Sequence, residues 1–170
     1  MARILIVERV PFMRNITRFA LECGGHEVIG EAEDGLQALH YFEHSFPDLV
    51  ILALILPKKD GFKVLKRLKE IRKDAKVIIC SSIRDEKVID LALSHGADSY
   101  IARPFRIYNF VQEVNRILGI DEVQACETSD KVLFSEREEL EKMAAKVLTK
   151  TITAVELRAF VERMKKKPGA

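Results

Sequence analysis

Short apolar runs alternate along this chain with segments whose apolar residues recur every three or four positions. The run ILIV at 4–7 precedes Phe12, Ile16, Phe19, Ala20 and Cys23, which are spaced to share one face of a helix. VIGEA at 28–32 precedes Leu36, Leu39 and Phe42, and LVILA at 49–53 precedes Phe62, Leu65, Leu68 and Ile71. VIICS at 77–81 leads to Val88, Leu91 and Ala92, and SYIA at 99–102 leads to Phe110, Val114, Ile117 and Leu118. The pattern predicts five strand and helix pairs. Parallel strands need crossover connections, which run right-handed, so the expectation is an α/β fold: a doubly wound five-stranded parallel sheet with helices on both faces. The near-continuous apolar strands agree with burial on both sides. Ligands and reactive groups of such sheets sit beyond the carboxyl ends of the strands. Those positions are Glu8 and Arg9, Ala53, Ser81 and Ser82, and Arg103.

After Gly119 the periodicity weakens. The stretch 120–132, which contains DEVQACETSDK, is polar and reads as a linker. Two amphipathic helices are predicted in 133–170. Ser135 with Glu138 forms a capping box ahead of Leu140, Met143, Ala144, Val147 and Leu148. Thr153 with Glu156 repeats it ahead of Leu157, Phe160, Val161 and Met164. Two short helices bury little alone, so this C-terminal helical hairpin is expected to use Leu140, Met143, Val147, Leu157, Phe160, Val161 and Met164 as an interface. Its partner would be the first domain, 1–119, or a second copy.

Composition changes this picture little. With 170 residues, 48% of them hydrophobic and 32% charged, the chain can bury a full core and form one domain plus an appendage. The start MARILIV enters a strand-like run directly, without the pattern of a secretory signal, and no apolar run approaches a membrane span. Cys23, Cys80 and Cys126 are odd in number and widely spaced, which argues against a disulfide framework and for a reducing cytoplasm. The net charge of +2 is unevenly spread: residues 1–130 carry 18 basic and 20 acidic groups, residues 131–170 carry 10 and 6. A basic tail suits an acidic partner, yet a solvated amphipathic hairpin gives the same balance.

Four ordered segments, ILIVERVPFMRNI, PDLVILALILPKKDGF, VIICSS and YIARPF, make residues 2–119 resemble the bacterial response-regulator receiver domain, the CheY-like (flavodoxin-like) family. The resemblance implies an acidic pair after the first strand and a phosphate-accepting Asp after the third. It also implies a Ser or Thr after the fourth and a Lys before a cis proline after the fifth. Here those positions hold Glu8 and Arg9, Ala53, Ser81, and Arg103 before Pro104. The family's switch aromatic falls on Tyr100, with Ser81 as the hydroxyl it follows. A Tyr packed in one position remains the alternative. The family's usual contact face, from the fourth helix to the fifth, offers Ile83, Val88, Tyr100, Ile107 and Tyr108.

Phosphoryl acceptance needs a carboxylate nucleophile and carboxylates that hold Mg2+. Ala53 has no nucleophilic atom, and Arg9 and Arg103 outnumber Glu8 where a divalent cation would sit, so no Mg2+ is expected. Arg9 is expected near the metal position, paired with Glu8, with Arg103 competing for that partner. Asp60 before Gly61 reads as a helix N-cap and Asp48 lies at the wrong end of its strand. Ser81 and Ser82 lack a neighbouring base, and no triad is visible. His40 and His44 share a helix face, but no further zinc ligands are near in sequence.

The expected function is therefore non-enzymatic. It is an atypical receiver of a bacterial signalling pathway, not phosphorylated at the usual site, which binds a protein partner or forms a homodimer. The first alternative is a phosphorylatable regulator with an engineered Asp-to-Ala change at Ala53, against which Arg9 argues. The second is a DNA-binding regulator using the basic tail, for which some forty residues are too few to build a recognition unit.

Overall fold

The computed structural model describes residues 1–120. The chain divides into two units, Met1–Gln124 and Ala125–Ala170. The tail residues Leu140, Met143, Val147, Leu157, Phe160, Val161 and Met164 lie outside the described residues, as does the hairpin they were expected to form.

Strands and helices alternate as the pattern predicts. In chain order they are β1 (Arg3–Val7), α1 (Pro11–Cys23), β2 (Glu27–Ala32), α2 (Gly35–Ser45), β3 (Leu49–Leu52), α3 (Gly61–Ile71), β4 (Lys76–Ser81), α4 (Glu86–Ser94), β5 (Ser99–Ala102) and α5 (Ile107–Leu118). The sheet is parallel throughout, in the order β2-β1-β3-β4-β5. Strand order reverses direction between β1 and β3, and their carboxyl ends form the crevice of a doubly wound sheet.

The three central strands carry the core. Leu5, Val7, Val50, Leu52, Val77 and Ile79 point to one side, where Phe42 of α2 and Val64, Leu65 and Leu68 of α3 cover them. The alternate residues Ile4, Ile6, Leu49, Ile51 and Ile78 are equally buried and face the other side. Each such side chain withdrawn from water contributes about 1.5–3 kcal/mol before conformational entropy is counted.

Helix starts follow their local chemistry. Asp34, Asp60 and Asp85 each accept backbone N–H bonds as N-caps of α2, α3 and α4, which is the role the sequence assigns to Asp60. Pro11 opens α1, and Gly119 closes α5 at φ 71. Gly61 has a separate reason. A Cβ there would lie 2.5 Å from the Ala53 carbonyl oxygen and 2.6 Å from the Leu54 Cα, so only glycine lets α3 begin against the exit of β3.

Helix faces differ from expectation in places, as at Ile71 of α3, which is exposed, and at Ile117 and Leu118 of α5, which are half-buried. The buried residues of α1 are Phe12, Arg14, Thr17, Ala20 and Leu21, whereas Ile16, Phe19 and Cys23 are only half-buried. The cause is Arg14, which turns inward because its Nη1 donates to the Glu8 carbonyl at 2.7 Å and its Nη2 donates to Glu33 at 2.8 Å. Leu36 of α2 and Leu91 of α4 are exposed, because those helices bury Ala38 with Phe42, and Ala92, instead.

Candidate functional site

The backbone brings Glu8, Arg9, Ala53, Ser81, Ser82 and Arg103 to one end of the sheet. They follow, or nearly follow, β1, β3, β4 and β5, and Ala53 N still donates to Val7 O at 2.9 Å. Their side chains do not all join one cluster.

Glu8 is the most constrained group. Its side chain is 8% exposed, Oε1 accepts from the Val10 amide at 2.8 Å, and Oε2 accepts from Arg103 Nη1 at 2.7 Å. Both carboxylate oxygens are therefore engaged within the protein. Arg103, 16% exposed at its side chain, reaches across from β5 and leaves its buried Nε without an acceptor. This corrects the expected pairing. Arg9 is exposed and forms no ion pair among the described residues, and Arg103 holds Glu8 instead. The loop geometry explains the exchange. The Val10 amide turns the Glu8 carboxylate inward, while Arg14 holds the Glu8 carbonyl and, at 3.3 Å, the Arg9 carbonyl.

Ala53 is 3% exposed and places a methyl group at the exit of β3. Beside the ion pair, Cys80 is buried among apolar neighbours, which pushes its thiol up to about 12; the Arg103 charge works against that rise and the Glu8 charge adds to it. A thiol so held stays protonated and is no nucleophile.

At the β4 and β5 exits the Ser81 hydroxyl is buried and accepts from the Ile83 amide at 3.2 Å, while Ser82 is exposed. The Tyr100 hydroxyl donates to the Ile83 carbonyl at 2.7 Å. Ser81 and Tyr100 thus hold the same residue of the β4–α4 loop, one through its amide and the other through its carbonyl. The bond between Arg103 and Pro104 is cis, as expected. A cavity of about 390 Å³ opens beside Tyr100 between β5 and α5, bounded by Pro104, Phe105 and Phe110.

Of the expected contact residues, Ile83, Val88 and Tyr100 are half-buried against the core and Tyr108 is half-exposed. Ile107 is 4% exposed, so it belongs to the core and leaves that face. The first turn of α5 directs it inward beside Phe110 and Val111.

Two features escaped sequence reading. Asp34, which caps α2, also accepts from Lys58 Nζ at 2.6 Å, tying the β2–α2 and β3–α3 loops together. That bond, with the Gln37 and Leu36 amides, holds the Asp34 carboxyl below its ordinary value. Buried His26 pairs through Nε2 with Asn115 of α5 at 2.8 Å. Neither partner lies near the other in sequence, and no periodicity signals such a pairing.

A parallel sheet in this order, with the β3 exit beside a Glu from β1 and a cis proline after β5, defines a receiver module of two-component signalling. The chain belongs to the response regulator receiver domain family, which matches residues 4–115. It is 35% identical over 117 residues to the chemotaxis protein CheY of Bacillus subtilis, spanning 69% of this chain and 98% of that one. It is 34% identical over 116 residues to CheY of Halobacterium salinarum, spanning 68% and 96%. Among solved structures, CheY in the CheX–CheY–BeF3–Mg2+ complex of Borrelia burgdorferi superimposes with a TM-score of 0.67 at 27% identity, covering 68% of this chain and 88% of that one. The receiver of Thermotoga maritima CheB gives 0.65 at 24%, covering 72% and 99%, a likeness of fold. Receivers of this kind are signalling modules that work with protein partners. No helix among the described residues is long and apolar enough to cross a membrane.

Proposed function

We propose that this chain is an atypical receiver that signals by binding a protein partner and is not phosphorylated at the usual site. One observation carries the reading. At the crevice a methyl group, Ala53, stands at the β3 exit, and the Glu8 carboxylate is already held by Arg103 at 2.7 Å. Acyl-phosphate formation needs a carboxylate oxygen to attack phosphorus, and Ala53 supplies none. The residues present do not fit Mg2+ either, since the one carboxylate at the crevice has both oxygens engaged, by the Val10 amide and by the Arg103 guanidinium. Among the described residues no group of three or more His, Cys, Asp or Glu side chains is placed to hold a metal ion.

The similar CheY of Borrelia burgdorferi accommodates both a phosphoryl mimic and magnesium and does so in complex with another protein, CheX. This chain keeps the fold of that partner-binding protein and replaces the chemistry. Without a phosphoryl trigger, the conformation held by Tyr100 and Ser81 on Ile83 shifts only by a partner's differential affinity for two states of the β4–α4 loop. Tyr100, Val88 and Tyr108 are the residues we assign to that partner-binding face. The organisation into a receiver at 1–119, a linker at 120–132 and a helical interaction segment at 133–170 is part of the same proposal.

The test is to incubate the full chain with a small-molecule phosphodonor and Mg2+ and measure its intact mass. The mass stays unchanged under this proposal. Addition of one phosphoryl group at any Asp overturns it.

A further inference from the structure

The α2 helix carries a pair of imidazoles that the crevice does not use. His40 and His44 lie one turn apart on the exposed face of α2, and their ring centroids are 4.3 Å apart with the planes tilted by 43°. His44 Nδ1 lies 2.7 Å from the His40 carbonyl oxygen. A carbonyl can only accept, so Nδ1 carries the proton and the Nε2 lone pair is left pointing outward. This is the arrangement that orients a metal-binding histidine: one nitrogen donates to a backbone carbonyl and the other stays open for the ion. His40 makes no hydrogen bond through its ring among the described residues, so either of its nitrogens can turn toward His44.

We propose that His40 and His44 form a two-point binding site for a divalent transition-metal ion of the nickel and copper class, with water completing the coordination. The donor set selects the class: two imidazoles suit nickel and copper, which take water in their remaining positions, whereas a structural zinc centre takes four protein ligands, and among the described residues no third His, Cys, Asp or Glu joins this pair. Magnesium and calcium prefer oxygen donors and gain nothing here.

The site has a structural consequence. A metal bridging one turn staples α2, and the N-cap of that helix, Asp34, is held by Lys58 of the loop that follows Ala53. Binding on α2 therefore stabilises the folded chain, and with it an element anchored to the crevice.

The experiment uses the full chain, freed of metal, titrated with Ni2+ by calorimetry and thermal shift. Nickel is the probe because free thiols reduce Cu2+. Saturable binding is expected at one site, accompanied by a rise in Tm, and Zn2+ binds more weakly. His40→Ala and His44→Ala each weaken Ni2+ at least tenfold and abolish the Tm shift, whereas His95→Ala, at the C-cap of α4, leaves both as in the parent. No saturable binding overturns the proposal, and so does Ni2+ binding retained in either α2 variant, which would mean an adventitious ion only, held by thiols or the terminal amine. Zn2+ binding more tightly than Ni2+ overturns the assigned class of ion.

Discussion

The crevice has two halves that answer to different constraints. The half built from the β1 and β3 exits holds Glu8, Arg9 and Ala53. The half built from the β4 and β5 exits holds Ser81, Tyr100, Arg103 and Pro104. In the second half a buried Ser hydroxyl and a Tyr hydroxyl both engage Ile83, and the peptide before Pro104 is cis. In the first half the strand ends stand in the same register, yet a methyl group and an engaged carboxylate occupy the places where chemistry would begin. The fold places strand exits through packing far from the crevice. Side chains at those exits can therefore differ without disturbing the sheet.

The ion pair between Glu8 and Arg103 is where the two halves meet, so breaking it has the largest expected effect. Arg103→Ala leaves a carboxylate with 8% of its side chain exposed facing no cation, and urea unfolding is expected to show a loss of about 2–4 kcal/mol. The paired change Glu8→Gln with Arg103→Met removes both charges and recovers most of that loss. If the single change proves neutral, the halves are not joined as described.

Tyr100→Phe acts on the second half alone. It deletes the 2.7 Å bond to the Ile83 carbonyl, with an expected cost of about 1 kcal/mol and faster amide exchange in the β4–α4 loop. Unchanged exchange there would show that the Tyr hydroxyl does not restrain the loop.

The smallest effect belongs to His26, whose partner Asn115 lies in neither half. Burial holds its imidazole below the ordinary histidine value, against the raising effect of the Asn115 hydrogen bond. The folded chain therefore binds fewer protons at His26 than the unfolded chain. The stability this contributes is whole above pH about 6.5 and is lost as the pH falls below that value. Urea midpoints across that window should fall with acidification in the parent and fall less in His26→Gln.

The sheet was legible because each central strand is apolar on both faces and each helix carries a stripe. The β3 run LVIL is buried at all four positions, and no other element satisfies that pattern so economically. The Asp60 cap was legible for the same reason, since its partners are its own neighbours in sequence. The crevice was legible in its residue types and only partly in its pairings. Glu8 had two candidate cations, Arg9 adjacent to it and Arg103 across the sheet. Which one reaches it depends on the turn of the β1–α1 loop, set by Arg14 and the Val10 amide. Ile107 was misplaced because the resemblance assigns a contact face by element and not by the direction of each side chain, and here the first turn of α5 points Ile107 to the core. The bonds from Lys58 to Asp34 and from His26 to Asn115 join residues 24 and 89 positions apart and have no local signature.

The central claim is that charge, and not the missing oxygen alone, closes the crevice to metal-assisted phosphoryl transfer. Restoring the carboxylate separates the two causes. Ala53→Asp and the double variant Arg9→Asp/Ala53→Asp are each incubated with a small phosphodonor and Mg2+, and the rate of phosphoryl incorporation is followed by intact mass. Slow incorporation in the single variant and faster, Mg2+-dependent incorporation in the double is the predicted result. Equal rates in the two variants would contradict it.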